Sequence, residues 1–80
     1  MNHETLTEVK KTLQKLVAKK TAMLETAYGN QANLTEAIQA RSEQGLASHK
    51  LTAMLRVTIN NIHTLEEEIQ ALHEDLTKLG

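Results

Sequence analysis

The chain has 80 residues, a formal net charge of −1, one aromatic residue (Tyr28), and neither cysteine nor proline. That length holds one small domain with a modest core, here necessarily aliphatic. The missing cysteines exclude a disulfide framework, a thiolate nucleophile and cysteine-based metal sites. The near-neutral charge argues against a dedicated electrostatic footprint for nucleic acid.

The first residues, MNHETLTEVKK, are polar and lack the apolar core of a signal peptide. No apolar run approaches membrane-spanning length, so a cytoplasmic protein is expected. From there Leu6, Val9, Leu13, Leu16, Met23 and Ala27 recur at helical spacing, and Val17 and Leu24 widen the stripe. This predicts an amphipathic helix over about residues 5–28. Thr5-Leu6-Thr7-Glu8 reads as a capping box at its start, and Gly29 as its C-terminal stop.

Asn33-Leu34-Thr35-Glu36 repeats the cap pattern and predicts a short second helix over about residues 33–44, ended by Gly45. Ser48 then reads as the N-cap of a third helix over about residues 48–79. Its seam runs Leu51, Leu55, Thr58, Ile62, Leu65, Ile69, Leu72, Leu76, Leu79. The expected fold is all-α: an antiparallel, coiled-coil-like helical hairpin with a short third helix between the two long ones. The third helix should outreach the first, with the short helix covering the overhang.

Charge supports that pairing. In residues 1–28 five lysines against three glutamates leave plus two. In residues 60–80 one lysine against five carboxylates leaves minus four. Setting Leu6 opposite Leu79 brings Lys10 to Asp75, Lys11 to Glu74 and Lys19 to Glu66. Exposed pairs of this kind contribute about 0.2–1 kcal/mol each, and their main effect is on orientation. The alternation of Ile62 and Ile69 with Leu65 and Leu72 also suits a parallel two-stranded coiled coil, which keeps pairing with a second copy open. Lys20 falls on the seam of the first helix. It either snorkels to water or makes a register-setting contact with an acid on a neighbouring helix. Thr58 interrupts the last seam, and its hydroxyl is expected on the preceding turn's carbonyl.

Motifs of catalysis are not found. The four histidines lack metal-ligand spacing, and His63 with Glu67 would supply too few ligands. Neither serine lies in a nucleophile turn, and the three glycines are isolated, which excludes a phosphate-cradling loop. A thin aliphatic bundle offers little cleft to tune a carboxylate. The chain is therefore expected to be no enzyme, to hold no cofactor and to insert in no membrane.

Residues 37–56 resemble a helix-turn-helix about Gly45, with His49, Lys50 and Arg56 as the groove contacts. Arg41 stands where that family has a small residue, which places the DNA-binding alternative second. A structural homodimer is the other alternative. The apolar residues Met23, Leu24, Tyr28, Leu34, Ile38, Leu46, Met54 and Leu55 should gather at the turn end, where a surplus would meet a partner.

The stretch AMLRVTINNIHTL, residues 53–65, is similar to the leucine-rich C-terminal helix of small co-chaperones of type III secretion needle subunits. That resemblance implies a helical hairpin whose last helix binds another protein and whose function is sequestration. The function expected is a small adaptor, co-chaperone or assembly factor that binds another protein, or a second copy, through an amphipathic helical face. Tyr28, Met54, Leu55, Ile59 and Ile62 are the expected contacts. Lys19, Glu66 and Glu68 are expected to set pairing and orientation.

Overall fold

The computed structural model describes residues 3–80. It consists of two helices, α1 (His3–Glu43) and α2 (His49–Leu79), folded back on each other through a five-residue connection. At ~1.5 Å per residue the helices are about 62 and 46 Å long. The hairpin measures 64 × 15 × 14 Å, so they lie side by side along their length. Among the described residues no helix is long and apolar enough to cross a membrane.

The expected break between the first two helices does not occur. Residues 29–33 are helical, so the short second helix is the last part of α1. Gly29 lacks a positive φ, and a Cβ built there meets nothing within 4 Å. Thr5 and Asn33 are helix residues, not N-caps. The helix continues because its α2-facing stripe keeps phase: Leu24, Ala27, Gln31, Leu34 and Ile38 step by three and four and are all half-buried. Their packing outweighs the ~1 kcal/mol that glycine costs a helix. It also follows that α1, not α2, is the longer helix.

The turn is closed by hydrogen bonds. Gly45 has φ +72°, a conformation available to glycine without a Cβ clash. The Leu46 amide donates to the Arg41 carbonyl at 2.9 Å, and the Gly45 amide to the Ser42 carbonyl at 3.0 Å, which is the Schellman pattern. Arg41 adds a side-chain clamp: Nε and Nη2 donate to the Ala47 carbonyl at 3.0 and 2.8 Å. Ser48 does stand at the N-cap of α2, but its hydroxyl makes no cap bond and lies buried without a partner. The helix-turn-helix expectation for residues 37–56 is corrected by this geometry. That motif crosses its helices at about 90–120°, whereas here they run antiparallel.

The seam on α2 is the one read from the sequence. Ile62 and Leu65 are its buried core, 5% and 8% exposed, with Leu55, Ile69, Leu72 and Leu76 half-buried on either side. Thr58 Oγ1 donates to the Met54 carbonyl at 2.9 Å, as its seam position demands. The seam on α1 lies to one side of the expected stripe. Leu13, Val17, Leu24 and Ala27 face α2, while Leu16 and Met23 flank them and stay exposed.

Two cross-helix contacts set the register: Lys20 to Glu68 and Tyr28 to Glu66. With antiparallel heptad pairing they place Ala27 level with Ile62, Leu24 with Leu65, and Lys10 with Leu79. The expected match of Leu6 to Leu79 is thus off by about one helical turn.

Two glycine substitutions test this architecture. Gly29→Ala should raise stability by about 0.5–1 kcal/mol, since alanine is the better helix former in open space. Gly45→Ala should lower it by about 1–2 kcal/mol, because a Cβ strains the left-handed turn. Urea denaturation followed by circular dichroism reads both. A loss at Gly29 would mean that the helix breaks there.

Candidate interaction surface

Two flanks border the seam, and their chemistry differs. On one flank α1 contributes Gln14, Thr21, Tyr28 and Thr35 and α2 contributes Ile59, Glu66 and His73. There the Tyr28 hydroxyl donates to Glu66 Oε2 at 3.1 Å, and His63 Nδ1 lies 3.9 Å from Glu66 Oε1. The Tyr28 phenol pKa is raised, by desolvation first and then by its bond to, and the charge of, the Glu66 carboxylate. Glu66 therefore ties the two helices through tyrosine. Lys19 has no ion pair among the described residues, and the register leaves Glu66 out of its reach.

The other flank carries consecutive heptad positions of α1, Val9, Leu16, Met23, Asn30 and Ala37, beside Met54, Asn61, Glu68 and Asp75 of α2. Val57 and Thr64 widen it. Four of the six exposed large apolar side chains among the described residues stand on this flank, Leu16 (38% exposed) and Met23 (48%) towards one end and Met54 (54%) and Val57 (59%) towards the other; Leu46 lies in the connection and Tyr28 on the opposite flank. Between the two apolar ends lies an open groove of about 500 Å³. Thr26, Asn30, Asn61 and Thr64 make its walls, with Ala27 and Leu65 lining it as well. At its edge Lys20 Nζ forms an ion pair with Glu68 Oε2, both side chains partly exposed. This is the register-setting contact, made by Lys20 instead of Lys19.

The residues expected to meet a partner are thus divided. Ile62 is buried against α1, and Leu55 belongs to the same seam, so both serve the hairpin itself. Tyr28 and half-buried Ile59 stand on the polar flank. Met54 alone stands on the apolar flank, with Val57 beside it and Leu16 and Met23 towards the other end. Met23 belongs to the apolar surplus expected at the turn end, whereas Leu16 becomes legible only once the heptad phase of α1 is known, and Val57 lies off the α2 seam. Tyr28 also spends its hydroxyl hydrogen within the chain, on Glu66. Among the described residues no three His, Asp or Glu side chains are grouped to hold a metal ion. The groove is walled by threonine, asparagine and aliphatic groups, a surface for packing and amide hydrogen bonds.

Comparison with protein-family models, curated proteins and solved structures finds no match to this chain.

Two measurements check the cross-helix contacts. A double-mutant cycle of Lys20→Ala and Glu68→Ala should give a coupling of about 0.3–1 kcal/mol that shrinks as salt is added. A coupling of zero at low salt would remove Lys20–Glu68 as the orienting pair. Ultraviolet titration of the single tyrosine should give a midpoint above the ordinary phenol value of about 10, lowered part of the way by Glu66→Gln. The fold favours the neutral phenol. Tyr28's contribution to stability is therefore complete below the unfolded phenol pKa and is lost as pH rises through the raised folded value.

Proposed function

We propose that this chain is a cytoplasmic, non-enzymatic protein-interaction module of the adaptor, co-chaperone or assembly-factor kind. The observation that carries the reading is the apolar flank formed by Leu16, Met23, Met54 and Val57. Hairpin closure uses the seam and leaves these side chains in water. An apolar strip of this kind, aligned along one flank of a rod, is what a partner helix covers. Methionine suits the purpose, because its unbranched, polarisable side chain adapts to an irregular partner. The partner gains from burying the strip, and Asn30 and Asn61 in its middle supply hydrogen bonds that fix its position. The co-chaperone form of the reading, in which the last helix holds another protein in solution, rests on the resemblance of residues 53–65. In that form sequestration is achieved by covering the partner's own apolar helix.

A photo-crosslinking residue placed at Met54 in the producing cell tests the reading. It should give one defined covalent product, whereas the same residue at Lys15, on the outer face of α1, should give none. No product at Met54, or equal yields at both positions, would overturn it. The double variant Met23→Glu, Met54→Glu should abolish association yet keep the helical spectrum, since a substitution at an exposed position usually changes stability by about 0.5 kcal/mol or less.

A further inference from the structure

We infer that the apolar flank pairs with a second copy of this chain, running antiparallel, to form a four-helix bundle. The inference rests on the interaction-module reading and names its partner. Three observations carry it: exposed area, shape along the strip, and charge at its ends.

The chain exposes 6089 Å². A compact protein of 8.9 kDa exposes about 4,800 Å². The surplus, roughly 1,300 Å², exceeds the roughly 800 Å² that each partner contributes to a stable interface. One flank of a rod 64 Å long and 15 Å wide is large enough to supply that share.

A two-fold interface sets every group against its own symmetry partner's surroundings, so the strip must complement itself. It does so when a two-fold axis crosses the rod near Thr26 and Thr64. The middle of the strip is then made of threonine and asparagine, side chains that both donate and accept and can pair with their own kind. An ionised group at the axis would meet its own charge. Away from the axis, large side chains fall opposite small ones, Leu16 opposite Ala37 of the second copy and Met54 opposite Ala71, while Val57 falls level with Glu68, whose carboxylate is already paired with Lys20. Such alternation lets helices interdigitate at close packing.

Charge selects the antiparallel arrangement. Asp75 stands on this flank level with Leu16, and Lys50 stands near the turn end beyond Met54. Antiparallel packing brings Asp75 within reach of the second copy's Lys50, once in each direction. Parallel packing sets Asp75 over Leu16 of the second copy and leaves a carboxylate on the apolar strip. The other flank offers no such match, because Glu66 dominates it and holds Tyr28 within the chain.

Sedimentation equilibrium of the full chain over about a hundredfold range of concentration should show a dimer that dissociates on dilution. Leu16→Glu with Met54→Glu should yield a monomer of unchanged helicity. Lys50→Asp and Asp75→Lys should each weaken the dimer severalfold, and the two together should restore it. Because the chain has no cysteine of its own, Thr64→Cys near the axis should oxidise to a covalent dimer, and Thr21→Cys on the opposite flank should not. A monomer at every concentration, a dimer indifferent to Leu16→Glu and Met54→Glu, or equal crosslinking at positions 21 and 64 would overturn the inference. A helical monomer whose Met54 crosslinks to a different protein would overturn the second copy alone. A monomer that crosslinks to nothing would overturn the interaction-module reading as well.

Discussion

The fold depends on the contact of Ile62 and Leu65 with the middle of α1. Two helices can shield only one stripe on each other, because among the described residues no third element roofs the contact. Ile62 and Leu65 are the most buried side chains, 5% and 8% exposed, where the register sets Ala27 level with Ile62, a side chain small enough to let the helix axes approach. Full burial of such a side chain contributes about 1.5–3 kcal/mol. On either side the seam is half-buried, so its contribution is spread thinly along the rod. The middle and the Schellman turn therefore hold the hairpin, and the free ends of both helices are the places where it opens first.

The two seams are not equivalent, and this asymmetry explains the hairpin. The α2 seam is aliphatic apart from Thr58. The α1 seam contains Lys10, Lys20, Gln31 and Arg41 at positions that would otherwise be apolar. Each polar residue gives up burial, and the contacts seen for two of them are directional. Lys20 reaches Glu68 and Arg41 clamps the Ala47 carbonyl. Two copies of α1 joined along this seam would place lysines on a shared interface, and two copies of α2 would crowd their carboxylates. Pairing α1 with α2 relieves both repulsions. The polar seam residues thus lower the stability of the correct pair a little and that of the competing pairs more.

Much of this was legible in the residues themselves. The α2 seam, the helix end at Gly45, the back-bonded Thr58 and the choice offered by Lys20 all follow from spacing. The error over α1 has two sources: Gly29 reads as a stop and Asn33 to Glu36 as a new cap, and the apolar stripe reads through Leu16 and Met23. Val9, Leu16 and Met23 form an apolar line seven residues apart that does not continue at Asn30. The line that faces α2 passes through Lys10, Val17, Leu24 and Gln31, and it continues without a change of phase to Ile38. Two apolar lines on one helix cannot be ranked from one helix alone. The ranking requires the partner's position, and α2 supplies it. The same ambiguity hid the surface: Leu16 and Met23 read as core while they stand in water. The one-turn error in register followed, since it was chosen to match Leu6 with Leu79.

That second apolar line carries information about function because the hairpin does not need it. Scattered exposed leucines are ordinary on any protein surface. Here Leu16 and Met23 occupy successive heptad positions of α1, and Met54 and Val57 lie further along the same flank on α2, while the opposite flank of the same two helices holds threonine, glutamine, histidine, Ile59 and a bonded tyrosine. Helix propensity does not distinguish these flanks, and neither does the seam, which lies midway between them. What separates them is their use of polar groups. One flank spends Tyr28 and Glu66 on each other and is complete in water. The other keeps its amides and hydroxyls in an open groove between apolar ends, a pattern that becomes favourable only when a second surface excludes the water.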